Sequence, residues 1–354
     1  MARFSDVLTI VNGKNQAKVE NPNGKYPIYG SGGIMGYADD FLCDAQTVVI
    51  GRKGNINKPI YVEEPFWNVD TAFGLVANRK KLLPKYLFYF CVHFDFQKLN
   101  TTVTIPSLTK ANLLEIEIKL PSIEAQGKIV DELSSVDDLI SFRKQQLAKL
   151  DELVKARFVE MFIGKGYPKK TVDEVSLGKG EYGAQSASVE YEPTRPRYVR
   201  ITDIHDDGTL NNDVVASINP ADDEQYKLEY GDFMFARMGA TVGKTYAFIE
   251  GNQIFAGYLI RYRLNQKLIN PRYLFWYTRL DEYWNWVKLN QSGAAQPGIN
   301  AKKYGSLQIP LPPIEKQNEF AAFVEQTDKS KLAVQQSLDK LETLKKALMQ
   351  KYFG

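Results

Sequence analysis

The sequence predicts an α+β fold in which two small α/β domains sit at opposite ends of a pair of long antiparallel coiled-coil helices, related by a pseudo-two-fold internal repeat. Three observations carry this. Leu120-Pro121-Ser122-Ile123-Glu124-Ala125-Gln126 returns as Leu311-Pro312-Pro313-Ile314-Glu315-Lys316-Gln317, and the match runs on through Asp137 and Asp328, Gln145 and Gln336, and Lys155-Ala156 and Lys346-Ala347. Each copy opens a long run of apolar residues at alternating steps of four and three. The stretches between alternate short apolar runs with Gly-rich turns. The implied organisation is a domain over 1–120, a helical region over 121–165, a second domain over 166–310 and a second helical region over 311–354.

Taken in order, 6–11, 47–50, 59–62 and 74–76 read as strands, being short and rich in Val and Ile between turn residues. Pro84 marks the first turn of a helix expected over 84–99. The long helix follows, with its seam at Ile129, Leu133, Val136, Ile140, Arg143, Leu147, Leu150, Val154, Arg157 and Met161. Spacing of this kind, flanked by charge, is a coiled-coil signature, and about 40 residues span ~60 Å at 1.5 Å per residue.

The second domain repeats the plan loosely. Phe233-Met234-Phe235-Ala236-Arg237 parallels Val48-Val49-Ile50-Gly51-Arg52, Pro271-Arg272-Tyr273-Leu274-Phe275 parallels Pro84-Lys85-Tyr86-Leu87-Phe88, and Gln296-Pro297-Gly298-Ile299 parallels Ile105-Pro106-Ser107-Leu108. The second seam, Phe320, Val324, Thr327, Lys331, Val334, Leu338, Leu341, Lys345 and Leu348, is broken near its middle by Thr327 and Lys331. A dimerisation coiled coil is the bland alternative. Two helices in one chain with the same seam favour the intramolecular pair.

Composition narrows the function by exclusion. The net charge of +3 is mild, so a surface for nucleic acid must be local or completed by partners. Cys43 and Cys91 are isolated, which suits a reducing compartment, and neither a leader-like apolar run nor a membrane-length one occurs; the expected location is the cytoplasm. With only His93 and His205, histidine triads and His-rich metal sites are poorly supported. Asp203-Ile204-His205-Asp206-Asp207 reads as a solvated acidic loop.

Two glycine motifs also fall short. Gly239-Ala240-Thr241-Val242-Gly243-Lys244-Thr245 has three residues between its glycines where a phosphate-binding loop needs four. Gly30-Ser31-Gly32-Gly33-Ile34-Met35-Gly36 lacks glycine at the last position of a dinucleotide loop. The only Pro-Pro, Pro312-Pro313, has neither the preceding Asn or Asp nor the following aromatic residue of an adenine methyltransferase motif. No catalytic residue, metal ligand or cofactor is expected.

Basic and amide residues on loops are the stronger candidates. Arg offers a planar fork for guanine or phosphate, Asn and Gln can pair with adenine, and Lys neutralises phosphate. Lys14, Asn15 and Gln16 follow the first strand; Arg52, Lys53 and Asn55 follow another; Arg195, Arg197 and Arg200 surround Tyr198; Arg237 and Lys244 flank the glycine turn that parallels the Arg52 turn, and are expected to be the equivalents of Arg52 and Lys53 in the repeat.

The repeated L-P-[SP]-I-E-x-Q boxes leading into heptad helices resemble those of the specificity subunit of type I restriction-modification systems. The resemblance covers the whole chain, with supporting phrases at Tyr26-Pro27-Ile28-Tyr29-Gly30-Ser31-Gly32-Gly33, Gly51-Arg52-Lys53-Gly54-Asn55 and Trp67-Asn68-Val69-Asp70-Thr71-Ala72-Phe73. It implies two target-recognition domains, each reading half of a split double-stranded DNA target, with the helices as a ruler between the halves. It also implies two methyltransferase subunits docked on the helical regions and restriction/translocase subunits on that core. The subunit itself would bind no S-adenosylmethionine, ATP or metal. Two other classes stay open from the residues alone: a stand-alone DNA methyltransferase with fused recognition domains, and a scaffold that binds protein.

Overall fold

The computed structural model describes residues 1–100, 106–218, 224–292 and 297–354. Ile105 and Gln296, two ends of the proline-box parallel, lie outside these. The chain divides into two compact units, Met1–Gln146 with Val334–Gly354, and Leu147–Ala333. In the first, the principal elements are β1 (Leu8–Asn12), β2 (Tyr26–Gly30), β3 (Gly33–Ala38), β4 (Thr47–Gly51), β5 (Ile60–Val62), β6 (Trp67–Asn68), β7 (Ala72–Ala77), α1 (Pro84–His93) and the start of α2 (Ile123–Phe162). In the second they are β8 (Glu181–Tyr182), β9 (Arg197–Val199), β10 (Asp232–Ala236), β11 (Thr245–Ala247), β12 (Gln253–Phe255), β13 (Leu259–Arg263), α3 (Pro271–Tyr277), α4 (Asp281–Asn290) and the start of α5 (Ile314–Phe353).

The two units share one topology. An antiparallel sheet runs β1-β7-β4-β5 in the first and β8-β13-β10-β11 in the second. Beside it, β2 pairs parallel with β6, and β9 pairs parallel with β12. The central strands β4 and β10 are buried along their whole length, which is why each reads as an unbroken apolar run rather than an alternating one. Against each sheet lies the helix that begins at Pro84 or Pro271, supplying Tyr86, Leu87 and Phe90 to one core and Tyr273, Leu274 and Tyr277 to the other.

The second unit also buries an arginine between two carboxylates, one buried and one exposed. Arg261, 1% exposed, lies between Asp232 and Glu181, with its guanidinium over the Phe255 ring and a 2.7 Å bond to the Lys227 carbonyl.

Each unit contains a segment of both long helices, and within each the segments pair antiparallel. In the first, Asp137 meets Lys345 at 2.6 Å while Arg143, further along α2, meets Ser337, earlier on α5, at 3.2 Å. In the second, Asp151 meets Lys331, and Arg157 meets Glu319 at 3.2 Å. All the seam positions expected from the heptads are buried or half-buried. The expected break does not interrupt α5: the Thr327 hydroxyl donates to the Phe323 carbonyl at 2.9 Å, and Lys331 turns its ammonium to Asp151, so neither polar group is left unsatisfied in the seam.

Three local expectations are corrected, and one helix is added. Residues 4–7 form a short helix before β1, because the Asp6 carboxylate accepts from the Arg3 N–H and Phe4 and Val7, three apart, both turn inward. The helix from Pro84 stops at His93, where Phe94 becomes extended and Asp95 caps a separate 3₁₀ turn, Phe96–Leu99. Helix α4 was not anticipated; its Tyr283 and Val287, four apart, are buried while Asp281, Glu282 and Asn285 face outward. Asp203 is no part of a solvated loop, being 3% exposed and ion-paired to Arg200 at 2.8 Å.

Candidate nucleic-acid interface

Glycine fixes the first part of the site. At the end of β1, a Cβ on Gly13 would lie 1.8 Å from the Val69 carbonyl oxygen, and at the end of β8 a Cβ on Gly183 would lie 2.4 Å from the Ala256 oxygen. Only glycine lets the chain pass there. The next residue then makes the same bond in each unit: the Lys14 N–H donates to the Asn68 carbonyl, and the Ala184 N–H to the Phe255 carbonyl, both at 2.9 Å.

From this start the match can be followed bond by bond. Val69 N–H donates to Tyr29 at 3.0 Å, and Ala256 N–H to Val199 at 2.9 Å. Arg52 N–H donates to Thr71 at 2.8 Å, and Arg237 N–H to Tyr258 at 3.0 Å. Leu108 N–H donates to the Arg52 carbonyl and Ile299 N–H to the Arg237 carbonyl, both at 2.9 Å. Gly54 N–H donates to Pro106 at 3.0 Å and Gly239 N–H to Pro297 at 2.9 Å, with both glycines at positive φ, +80° and +67°. One backbone scaffold, built from the exit of the first strand, the end of the parallel strand, the Arg turn, the segment after β6 or β12 and the proline box, therefore occurs once in each unit.

The side chains on this scaffold differ. Lys14, Asn15 and Gln16 are matched by Ala184, Gln185 and Ser186; Ser31 and Gly32 by Ile201 and Thr202; Lys53 by Met238; Asn55 by Ala240; Thr71 by Tyr258. The arginine is common to both. Arg52 is exposed with its guanidinium 5.8 Å from the Phe73 ring centroid, and Arg237 is half-buried, 4.7 Å from that of Tyr182. In the second unit three parts of the scaffold, the exit of β8, the end of β9 and the segment after β12, line a cavity of about 410 Å³, with Gln185, Arg200, Thr202 and Tyr258 on its wall.

Among the residues singled out from sequence, Lys14, Asn15, Gln16, Arg52, Lys53 and Asn55 lie on the scaffold of the first unit, and Arg237 and Arg200 on that of the second. Lys14 and Asn15 are exposed, although the Asn15 carboxamide oxygen accepts from the Ala17 N–H at 2.9 Å. Arg200 forms a wall of the cavity with its charge committed to Asp203 and its guanidinium also bonded to the Val214 carbonyl.

Three residues are placed elsewhere. Arg195 pairs with Glu192 at 2.8 Å, and Arg197 donates to Asn212 at 2.8 Å and to the Asn211 carbonyl, so both guanidiniums are used internally. Lys244 is not the partner of Lys53: it lies beyond the turn, bonded to the Ile204 carbonyl at 3.2 Å and to Asp206 at 2.8 Å, and its ammonium holds the Asp206 carboxyl below the usual carboxylate range. Gln185, Tyr182 and Tyr258 were missed. The signal for Gln185 was its place two residues after Gly183, as Asn15 stands two after Gly13.

No group of three or more His, Cys, Asp or Glu residues that could hold a metal ion occurs among the described residues. No described helix is long and apolar enough to cross a membrane. What the site offers is a surface of guanidinium, carboxamide, hydroxyl and aromatic groups, the chemistry of contact with phosphate and base edges rather than of bond cleavage.

The comparisons agree with this reading. The sequence profile described as the type I restriction modification DNA specificity domain matches residues 1–152 and 184–343. The chain belongs to that family. Among similar proteins, the EcoDI type I restriction enzyme specificity subunit of Escherichia coli is 20% identical over 99% of this chain and 86% of its own length. A Haemophilus influenzae protein named as a type I specificity subunit is 22% identical over 98% of this chain and 94% of its own. The crystal structure of the type I S subunit from M. genitalium superposes with a TM-score of 0.64 at 16% identity, covering 100% of this chain and 95% of that one. As a specificity subunit the protein is the DNA-recognition component of a type I restriction-modification system and not itself an enzyme.

Proposed function

We propose that this specificity subunit reads a bipartite duplex target, one half through each unit's scaffold, and that its two long helices set the gap between the halves. Two methyltransferase subunits dock on the helical regions, and restriction/translocase subunits act through that core. The observation that carries the two-reader reading is the backbone scaffold repeated bond for bond with different side chains: constant geometry with variable chemistry suits two readers of two sequences. Docking of partners is supported by large apolar side chains left exposed on the helices, among them Phe142 at 63%, Leu332 at 61% and Leu153 at 49%.

A domain exchange tests it. Replacing residues 166–310 with the second domain of another specificity subunit, and mapping methylation in cells that also carry the methyltransferase, should change one half of the methylated motif and preserve the other. Both halves changing together would refute the two-reader model.

A further inference from the structure

We propose that Arg52 and Arg237 are equivalent phosphate anchors, and that Gln185, at the mouth of the 410 Å³ cavity, is a base-reading residue of the second half-site. This assignment rests on the DNA-reading function above. Its basis is the difference between two copies of one scaffold. Around Arg52 and Arg237 the turn glycine and the box proline that shape the backbone are kept while the exposed side chains have changed, Lys53 to Met238, Asn55 to Ala240 and Thr71 to Tyr258, yet the arginine is kept in its three-sided backbone frame. A side chain shared by two readers of different sequences suits the one feature that every duplex repeats, its phosphodiester backbone.

The charge is available for that contact. Arg195, Arg197, Arg200, Arg261 and Arg279 all spend their guanidiniums on carboxylates, carbonyls or side-chain oxygens. Arg52 and Arg237 have no carboxylate partner among the described residues, and each instead has an aromatic ring nearby, Phe73 or Tyr182.

Gln185 is the converse case. It is exposed, it stands two residues after the glycine that lets the chain pass Ala256, and among the described residues its carboxamide N–H makes a single long bond, 3.5 Å to the Gly183 carbonyl. The acceptor and donor of this carboxamide match the N6 and N7 edge of adenine in the major groove. At the equivalent place Asn15 turns its oxygen to its own loop, so the two units do not present the same group.

The test uses the complex with the methyltransferase, and three duplex sets: the methylated motif, single-pair variants of it, and an unrelated sequence. Binding is measured by fluorescence anisotropy across a salt series. Arg52→Ala and Arg237→Ala should each weaken binding to all duplexes by the same factor and flatten the log–log salt slope by about one. Arg237→Lys should restore the slope, which separates lost charge from a damaged fold. Gln185→Ala should weaken binding to the motif roughly 10- to 100-fold, leave the unrelated duplex and the salt slope unchanged, and erase discrimination at one pair of the second half. Uniform weakening by Gln185→Ala, or loss of discrimination at a single pair by Arg237→Ala, would overturn the assignment. A wild-type complex with no preference among the three sets would instead overturn the DNA-reading function, and this inference with it.

Discussion

Gln126 and Gln317 make the same three hydrogen bonds in the two units. The Gln126 carboxamide accepts from the Leu83 N–H at 2.8 Å and donates to the carbonyls of Lys81 and Pro121, both at 2.9 Å; Gln317 accepts from Asn270 at 2.9 Å and donates to Leu268 at 3.1 Å and Pro312 at 2.8 Å. Both side chains are fully buried. Leu83 and Asn270 are the N-caps of α1 and α3, so each glutamine ties a long helix to the start of the helix packed on its sheet. This is the physical content of the final Gln in the repeated box.

Replacement of either residue by alanine leaves buried backbone groups without partners. Each should cost about 2 to 4 kcal/mol, from roughly 1 to 3 for each unsatisfied buried group with partial relaxation. Urea unfolding measures the loss. Hydrogen exchange locates it: the Leu83 amide should lose protection in Gln126→Ala, and the Asn270 amide in Gln317→Ala. Unchanged protection at these amides would mean that the bonds contribute little.

A second stability prediction concerns Arg261. Asp232 is pulled in two directions, and burial raises its carboxyl above the ordinary range despite the nearby Arg261 charge. Arg261→Ala would leave that buried carboxylate without its ion-pair partner and with only the more distant charge of Arg263, at a cost of about 3 to 5 kcal/mol. Adding Asp232→Asn should recover part of the loss, because the neutral amide is cheaper to bury. A double variant no more stable than Arg261→Ala would point to lost packing on Phe255 as the main effect.

The helical half of the fold was legible in the sequence because helix pairing repeats a local rule at every seven residues, and both copies kept it. Even the polar Thr327 and Lys331 fit once their partners are known, the Phe323 carbonyl within the helix and Asp151 across the pair. The domains were legible only in part, because the offset between the copies drifts. It is 170 residues from Gly13 to Gly183, 185 from Arg52 to Arg237, 187 from Thr71 to Tyr258 and 191 from Pro106 to Pro297. Insertions in the loops hide the equivalence from any fixed-period comparison, whereas backbone hydrogen bonds ignore loop length. For that reason Arg237 was found by its strand pattern, Gln185 was missed, and Lys244 was paired with the wrong partner.

The turn that follows the strand at Lys169–Thr171 gives a pH prediction. Glu174 accepts from the Thr171 N–H at 2.7 Å while its own N–H donates to the Thr171 hydroxyl at 3.2 Å, and Lys170 adds a bond at 3.0 Å. The Thr171 amide first, then Lys170, hold the Glu174 carboxyl down to about 2 from 4.5. Because the folded value lies below the unfolded one, this contribution is complete above about pH 4.5 and disappears as the pH falls toward 2. Glu174→Gln should therefore lower the melting temperature at pH 7 and leave it near that of the unmodified protein as pH 2 is approached. An equal difference at both ends of that range would show that the ionised carboxylate is not what the turn uses.

The last prediction concerns the helix as a ruler. Helix α2 is unbroken from Ile123 to Phe162, so four residues inserted after the exposed Ala148 lengthen it by ~6 Å and rotate its far end by ~40°. Four residues make a stutter, which unwinds the seam locally while keeping its apolar positions on one side beyond the insertion. At about 3.4 Å per base pair, the added length corresponds to roughly one or two pairs. If α2 sets the spacing, the insertion variant, expressed with its methyltransferase, should methylate a motif with both halves intact and a longer unspecified gap. The altered pairing with α5 should also lower its melting temperature. A variant that folds and methylates with the original gap would remove α2 as the element that measures the distance between the half-sites.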